Sequence, residues 1–551
     1  MKDVILKHAL LNAQQYGKAE VGSVIGKVIA ENPEAKNKIA ELKKEIFETV
    51  AAVNKMSKEQ IEKELKKFGK IEKPKKEGQH LKPLPNAVKG KVIMRMAPNP
   101  NGPLHLGHAR PWILNDEYTK MYKGKLFLRF DDTDPKNPNK RPWKEAYKMI
   151  EEDLKWLGIK WHKTFCASER LEIYYKYFQK ILEKGWAYIC TCPQEEWANL
   201  VRINRGQCPC ASNGNDKNLQ LWEQMLSGEF KEGQAVGRMK TSRDIADPAV
   251  LDWVTFRIVD EPQHPFVKDK KIWPMLDFAS AIDDYEFKIT HIIRGKDLMI
   301  SEVRQKILYE YFGWKYPETI VGGKLFMTDE MVLSKSKIAE GIAKGIYKGY
   351  DDPRLALLIA LRKRGIQPQA IRNYIVNLGV HESETNVDLN ILYDENKKII
   401  DAKSNRYFFV GEPIQINLDR LPMKKVLAPI YPGKRTYRKI PVSKKIFVDK
   451  IDLIANREKE VRLMHFCNID LNETAKVTGK ANKDGIPKIH WSPEKNLKVK
   501  LMMNNGNEIN GLCEPEVEKV KVGSTVQFER IGFARCDENS KKSRVFYFAH
   551  K

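Results

Sequence analysis

Apolar residues in the first 68 positions recur at intervals of three and four: Ile39, Leu42, Ile46 and Val50 fall on one face of a helix. Ser57, followed by Glu59 and Gln60, has the chemistry of a helix start. The spacing predicts a helical appendage. Between Lys66 and Lys91 the periodicity gives way to lysines broken by Gly69, Pro74, Gly78, Pro83, Pro85 and Gly90, the composition of a basic linker.

A strand-like run, Lys91–Met96, opens a different pattern and stops at Pro98-Asn99-Pro100-Asn101-Gly102-Pro103. A helical pattern over Ala109–Lys123 and a strand over Lys125–Phe130 follow, which makes strand–helix–strand, the first unit of a parallel α/β sheet. Further helices are predicted over Trp143–Leu157, Glu169–Lys184 and Ser301–Phe312, strands over Thr290–Arg294 and Thr319–Val321, a loop over Met331–Lys337 and helix again over Asp352–Gly379. The stretch Cys190–Trp273 reads as loop-rich. Beyond about Asp394, Leu497, Val499, Leu501 and Met503 alternate with polar residues, as do Val526 and Phe528. With turn signals at Asn505-Gly506 and Pro432-Gly433, this tail is expected to form β-barrels or sandwiches. The expected segments are 1–90, 91–165, 166–272, 273–337, 338–395 and 396–551.

Length changes the picture little: 551 residues at roughly 100–200 per domain suggest three to five domains. With 42% hydrophobic residues, a chain disordered throughout is excluded. No apolar run approaches the roughly 18 residues of a membrane span, and Met1–Gly17 lacks a signal-peptide core. The expectation is a soluble cytoplasmic protein without a membrane partner. Charge adds more. An excess of +25 points to a polyanion such as nucleic acid, or else to a lysine-rich surface.

The most informative segment runs from Arg95 to Ala109 and contains His105-Leu106-Gly107-His108. Histidines at i and i+3 share a face where a strand becomes a helix, and free N–H groups there attract phosphate. Gly107 removes a side chain where a flat base could lie, and two imidazoles could donate to phosphate oxygens in a transition state. Alone, the pair could equally pack or cap. A second segment, Val332-Leu333-Ser334-Lys335-Ser336, lies in the other half of the α/β region, with Lys335 227 positions after His108. A loop lysine flanked by hydroxyls suits a diphosphate leaving group.

In that order and context the two segments resemble the HIGH and KMSKS signatures of class I aminoacyl-tRNA synthetases. Leu128–Pro135, Trp273–Ala279 and Ile289–Leu298 are similar to the glutamyl/glutaminyl branch of that family. The β-rich tail and helical appendage resemble its archaeal and eukaryotic glutamyl type. The resemblance covers most of the chain from about Lys91. It implies a multidomain protein: a Rossmann-like α/β catalytic domain interrupted by an acceptor-stem-binding insertion (166–272), a helical connector, a C-terminal β-barrel anticodon-binding region and the N-terminal appendage. It implies ATP with Mg²⁺, L-glutamate, and tRNA for glutamate, with tRNA for glutamine a second candidate acceptor. The appendage would bind protein or tRNA. His105, His108 and Lys335 would be catalytic; Pro98, Gly107, Ser334 and Ser336 would hold ATP; Arg95, Asn99, Asp131 and Arg294 would hold glutamate. Within the acidic turn, Asp131 would take the amino group, whereas the residues alone leave Asp131, Asp132 and Asp134 open as a capping turn or a cation site. Two guanidiniums, Arg95 and Arg294, suit a substrate with two carboxylates, and Arg294 could instead pair with Asp297 or Glu302. Leu276 stands where many relatives carry a tyrosine, so one polar contact is lost or supplied from elsewhere. A glutaminyl enzyme and a catalytically silent RNA-binding protein are the other readings.

Four of the eight cysteines, Cys190, Cys192, Cys208 and Cys210, fall within 21 residues. Two Cys-x-Cys pairs can supply four thiolates to a structural Zn²⁺; reduced buried cysteines or a disulfide are the other readings.

Overall fold

Ser57 acts as foreseen: it accepts from the Gln60 N–H while the Gln60 side chain takes the Ser57 N–H, a reciprocal cap. That cap belongs to a computed structural model of the chain, which describes residues 1–32, 39–68, 81–327, 335–431, 435–472 and 474–551. The linker residues 69–80 and the Pro432-Gly433 turn lie outside the described residues. Two compact units result, Met1–Gly78 and Gln79–Lys551. In the first, helices α1 (Lys2–Tyr16), α2 (Val21–Glu31), α3 (Ile39–Val53) and α4 (Lys58–Lys66) enclose Ile5, Leu10, Val24, Ile46 and Val50.

In the second unit, β1 (Ile93–Met96), α5 (Leu106–Met121), β2 (Lys125–Phe130), α6 (Lys144–Trp156) and β3 (Lys163–Cys166) build a parallel sheet in the order β1-β2-β3. Helix α7 (Leu171–Glu183) leads into the insertion. Met94, Met96, Leu126 and Leu128 are fully buried because helices cover both faces of such a sheet.

The insertion is more regular than its sequence suggests. β4 (Ala187–Cys190), α8 (Gln194–Trp197), α9 (Asn215–Ser227), β5 (Val236–Met239), β6 (Val254–Ile258) and β7 (Ile272–Pro274) include a four-stranded antiparallel sheet in the order β4-β5-β6-β7. Strands of three to five residues carry too little alternation to stand out, and 45 residues separate the ends of β4 and β5.

The chain then returns through α10 (Leu276–Glu286) to β8 (His291–Gly295), α11 (Met299–Phe312) and β9 (Glu318–Gly322). β8 and β9 pair in parallel, and hydrogen bonds between Thr290 and Ile93 join β8 to β1. After β10 (Leu325–Met327), α12 (Lys335–Ala343) and α13 (Leu358–Arg364), Gly365 at φ 96° ends the helix before α14 (Pro368–Leu378), so the helical stretch expected over Asp352–Gly379 is two helices. β11 (Thr385–Val387) pairs with β10, and α15 (Leu389–Ile400) closes the connector.

The tail forms two seven-stranded sheets, each with its own core. Residues 407–409 serve both through strand alternation: Phe408 enters one core, Tyr407 and Phe409 the other.

Candidate active site

α5 begins at Leu106, three residues earlier than its apolar periodicity predicts, because His105 is its cap. The His105 N–H donates to His108 Nδ1 at 3.4 Å and the His108 N–H to His105 Nδ1 at 3.3 Å, with the rings stacked 3.5 Å apart. A nitrogen that accepts carries no proton, so each neutral ring holds its hydrogen on Nε2. Burial, with the Lys335 cation adding to it, pushes His105 down to about 3, and burial followed by the neighbouring His105 and Lys335 lowers His108 well below the usual range. Both are therefore neutral donors at neutral pH. The His105 segment is tied down by Leu106 N–H to Ala356 O (3.0 Å) and Leu358 N–H to Leu104 O (2.9 Å).

Beside the pair lies a cavity of about 620 Å³ that brings together Pro98, Asn99, Asn101, His105, His108, Asp131 and Lys335. Lys335 is the first residue of α12 rather than part of a loop. Its ammonium donates to Asn101 Oδ1 at 2.7 Å, and burial lowers it to about 8. Asn101 is held by its own Nδ2, which donates to Asn139 O at 2.6 Å. Asn99 Oδ1 is buried without a partner among the described residues, an acceptor awaiting a donor. Ser334 lies outside the described residues, and Ser336 is exposed and does not line the cavity. Gly107 does not line it either. A Cβ there would meet His105 Cε1 and Nδ1 at 3.0 Å, so the glycine makes room for the histidine ring.

The acidic turn divides by role. Asp132 is fully buried and accepts from Ser168 N–H and Oγ and from the Tyr147 hydroxyl, so it is a structural cap. Asp134 accepts from Asn137 N–H and from Arg257. Asp131 faces the cavity; burial raises it to about 6 against the pull of Arg129 and Arg95.

The two expected guanidiniums differ sharply. Arg95 already spends one edge on Asp284, with Nε to Oδ1 at 2.9 Å and Nη2 to Oδ2 at 3.1 Å. Arg129, fully buried, joins Asp131 to Asp283, which also takes Arg170 and the Tyr174 hydroxyl. Arg294, also buried, has only neutral partners among the described residues: Leu298 O (3.1 Å), Gln305 Oε1 (2.6 Å) and the Tyr316 hydroxyl (3.0 Å). The alternative pairing fails, since Asp297 meets Lys324 and Glu302 meets Lys306. Neither Arg95 nor Arg294 lines the cavity itself, but Leu298, which Arg294 holds, does. Leu276 also lines it. Asn101, Arg129, Asp283, Asp284 and Gln305 were not singled out from sequence; Arg129 lies two residues from Asp131 and Gln305 eleven from Arg294, but the other pairings span 154 to 234 residues, beyond any local signal.

In the insertion all four cluster cysteines are free thiols with sulfurs within 4.8 Å of one another. Sγ atoms of Cys190 and Cys208, Cys192 and Cys208, and Cys192 and Cys210 stand 3.7, 3.8 and 3.6 Å apart. Bonds of about 2.3 Å to a tetrahedral ion set sulfur edges of about 3.8 Å, so the four residues fit such an ion.

A family model described as "tRNA synthetases class I (E and Q), catalytic domain" matches residues 91–403, and two for the anti-codon binding domains of the same group match 404–487 and 488–537. The chain is 44% identical over 558 residues to a glutamate–tRNA ligase of Archaeoglobus fulgidus and 42% over 576 residues to that of Pyrococcus furiosus, in both cases across the whole of both chains. A solved glutamate tRNA ligase of Elizabethkingia meningosepticum aligns at 23% identity and a TM-score of 0.41, covering 57% of this chain and 70% of that one.

Proposed function

Since the chain belongs to the class I tRNA synthetases of the glutamate and glutamine group, we propose that the cavity between His105 and Lys335 is where it activates its amino acid. The protein ligates L-glutamate to the 3′ end of tRNA. The α-carboxylate of glutamate attacks the α-phosphate of ATP, the bond to the diphosphate breaks, and glutamyl-adenylate forms. The terminal ribose hydroxyl of tRNA then takes the acyl group and releases AMP.

Each residue's part follows from its state. Nε2–H groups of His105 and His108 donate to phosphate oxygens as charge builds there, without a change of protonation. The Lys335 ammonium moves from Asn101 to the departing diphosphate. Asp131 receives the ammonium of glutamate, and Pro98 and Asn99 line the walls around it. Mg²⁺ bound with ATP would supply charge that screens the phosphates. In the insertion Cys190, Cys192, Cys208 and Cys210 would hold Zn²⁺; four sulfurs leave no open position, so its contribution is structural.

One observation carries the choice of glutamate over glutamine. Among the described residues Arg294 is buried with three neutral acceptors and no carboxylate, which leaves its charge for a substrate to match. Glutamine would leave that cation unpaired. Competitive charging of a glutamate tRNA transcript with labelled glutamate and glutamine tests this, and Arg294→Gln should erase most of the preference while ATP affinity holds. A preference for glutamine in the unaltered enzyme would overturn the reading. Charging total tRNA with glutamate, then identifying the labelled species, tests tRNA for glutamine as a second acceptor. The N-terminal unit is assigned to binding tRNA or a protein. No helix among the described residues is long and apolar enough to cross a membrane, in keeping with work in the cytoplasm.

A further inference from the structure

Arg294 lies on β8, and its charge matters only if nothing else in the fold neutralises it. The residue that takes its Nη2 is Gln305 of α11, only 1% exposed. Of the buried arginines, Arg129, Arg372 and Arg438 meet carboxylates, whereas Arg110, Arg238 and Arg364, like Arg294, donate to neutral oxygens among the described residues; Arg294 differs from those three in that one of its acceptors is a side-chain amide. At Gln305 the fold supplies an amide of the same shape as a carboxylate.

Every polar atom of that amide is engaged. Oε1 accepts from Arg294 Nη2 at 2.6 Å and from the Tyr316 hydroxyl at 2.7 Å. Nε2 donates to Ser280 Oγ at 2.6 Å and to Asp277 O at 3.2 Å. Ser280 passes its own hydrogen to Leu276 O at 2.7 Å, so its oxygen is free to accept. The amide cannot turn over, since that would set its NH₂ against a guanidinium and its oxygen against a carbonyl. Glu302, one turn earlier on α11, gives Oε1 to Lys306 at 2.7 Å and makes no ion pair with Arg294, while its Oε2 is buried without a partner among the described residues.

We propose that Gln305 is the positioning residue that sets amino-acid specificity: it fixes the Arg294 guanidinium through a neutral acceptor and so keeps the cation's charge for the side-chain carboxylate of the substrate. The inference rests on the reading of Arg294 given above and adds to it. Position and charge are separate demands, and an amide oxygen meets the first without spoiling the second. A carboxylate at 305 would keep an acceptor on Arg294 and cancel its charge, while its second oxygen would meet Asp277 O and Ser280 Oγ, where the amide now donates. An apolar residue would leave the charge intact and the placement loose.

The test compares Gln305→Glu, Gln305→Met and Arg294→Gln by the ratio of kcat/KM for glutamate to that for glutamine, with a glutamate tRNA transcript and saturating ATP. Arg294→Gln is expected to lower the ratio by about 100-fold, roughly the loss of one charge-assisted pair. Gln305→Glu should approach that value, and Gln305→Met should retain a ratio at least about 10-fold above Gln305→Glu although its kcat/KM for glutamate falls. KM for ATP should stay within about twofold in all three, which a merely structural lesion would not spare. If Arg294→Gln lowers the ratio and Gln305→Glu does not, the role of Gln305 is refuted while Arg294 stands. If neither lowers it, the Arg294 reading fails first. Should Gln305→Glu not fold, as judged by thermal melting, the cycle of Gln305→Met with Arg294→Gln decides. Non-additive losses in glutamate kcat/KM support the proposal, and additive losses overturn it.

Discussion

The ammonium of Lys335 rests on the side-chain oxygen of Asn101, 2.7 Å away, across a separation of 234 residues. The pairing holds the lysine at the cavity without neutralising it, and burial keeps it near 8, close to giving up its proton.

Asn101→Asp should convert that resting place into a trap. A carboxylate would pair with Lys335, raise its pKa and compete with the diphosphate. ATP–pyrophosphate exchange with tRNA present is expected to slow by about 10-fold or more, whereas Asn101→Ala should slow it far less. Equal effects of the two substitutions would show that the amide's neutrality is unimportant.

The pH profile of kcat/KM for glutamate should be bell-shaped. Asp131, raised to about 6 by burial, must be ionised to accept an ammonium, so activity falls as pH drops through that value. Lys335, lowered to about 8, must be protonated, so activity also falls as pH rises through that value. His105 at about 3 is neutral throughout and adds no limb. Asn101→Asp should move the upper limb to higher pH and leave the lower limb in place. An acid limb that vanishes in a His105→Asn variant would contradict this assignment.

Gly107→Ala places a methyl 3.0 Å from the His105 ring, which is itself locked against His108. The ring must shift, and the Nε2–H proposed to meet phosphate would lose its line. A fall in kcat of about 10- to 100-fold is expected with little change in melting temperature. Rates like those of the unaltered enzyme would mean that the His105 ring has room to move at no cost to catalysis.

The sulfur cluster should carry one zinc per chain, measurable by plasma mass spectrometry. Around Cys190 and Cys208 the apolar cluster is small, with Tyr188, Trp197, Val201, Ala211 and Leu251 as its other buried members, so the ion substitutes for a core. Chelation, or Cys208→Ser, should lower the melting temperature of the insertion by several degrees. Metal-free protein with an unaltered melting curve would exclude a structural ion.

Much of this was legible in one dimension. The strand–helix–strand start, the alternation in the tail and the spacing of Cys190, Cys192, Cys208 and Cys210 are local patterns, and local patterns survive in a string of letters. So do the two histidines and the distant lysine, because each belongs to a short run of consecutive residues. The insertion's sheet escaped notice since each strand is too short for its period to register, and α5 began early because a histidine did the work usually done by serine or aspartate.

From sequence alone, then, come the order of elements, the histidine pair with its distant lysine, and the four thiols. Only the folded chain decided which charges are already matched: Arg95 to Asp284 across 189 residues, Arg129 to Asp283 across 154, and Arg294 to no carboxylate among the described residues. Coulomb energy depends on distance and burial, and neither is written in the spacing of residues along the chain.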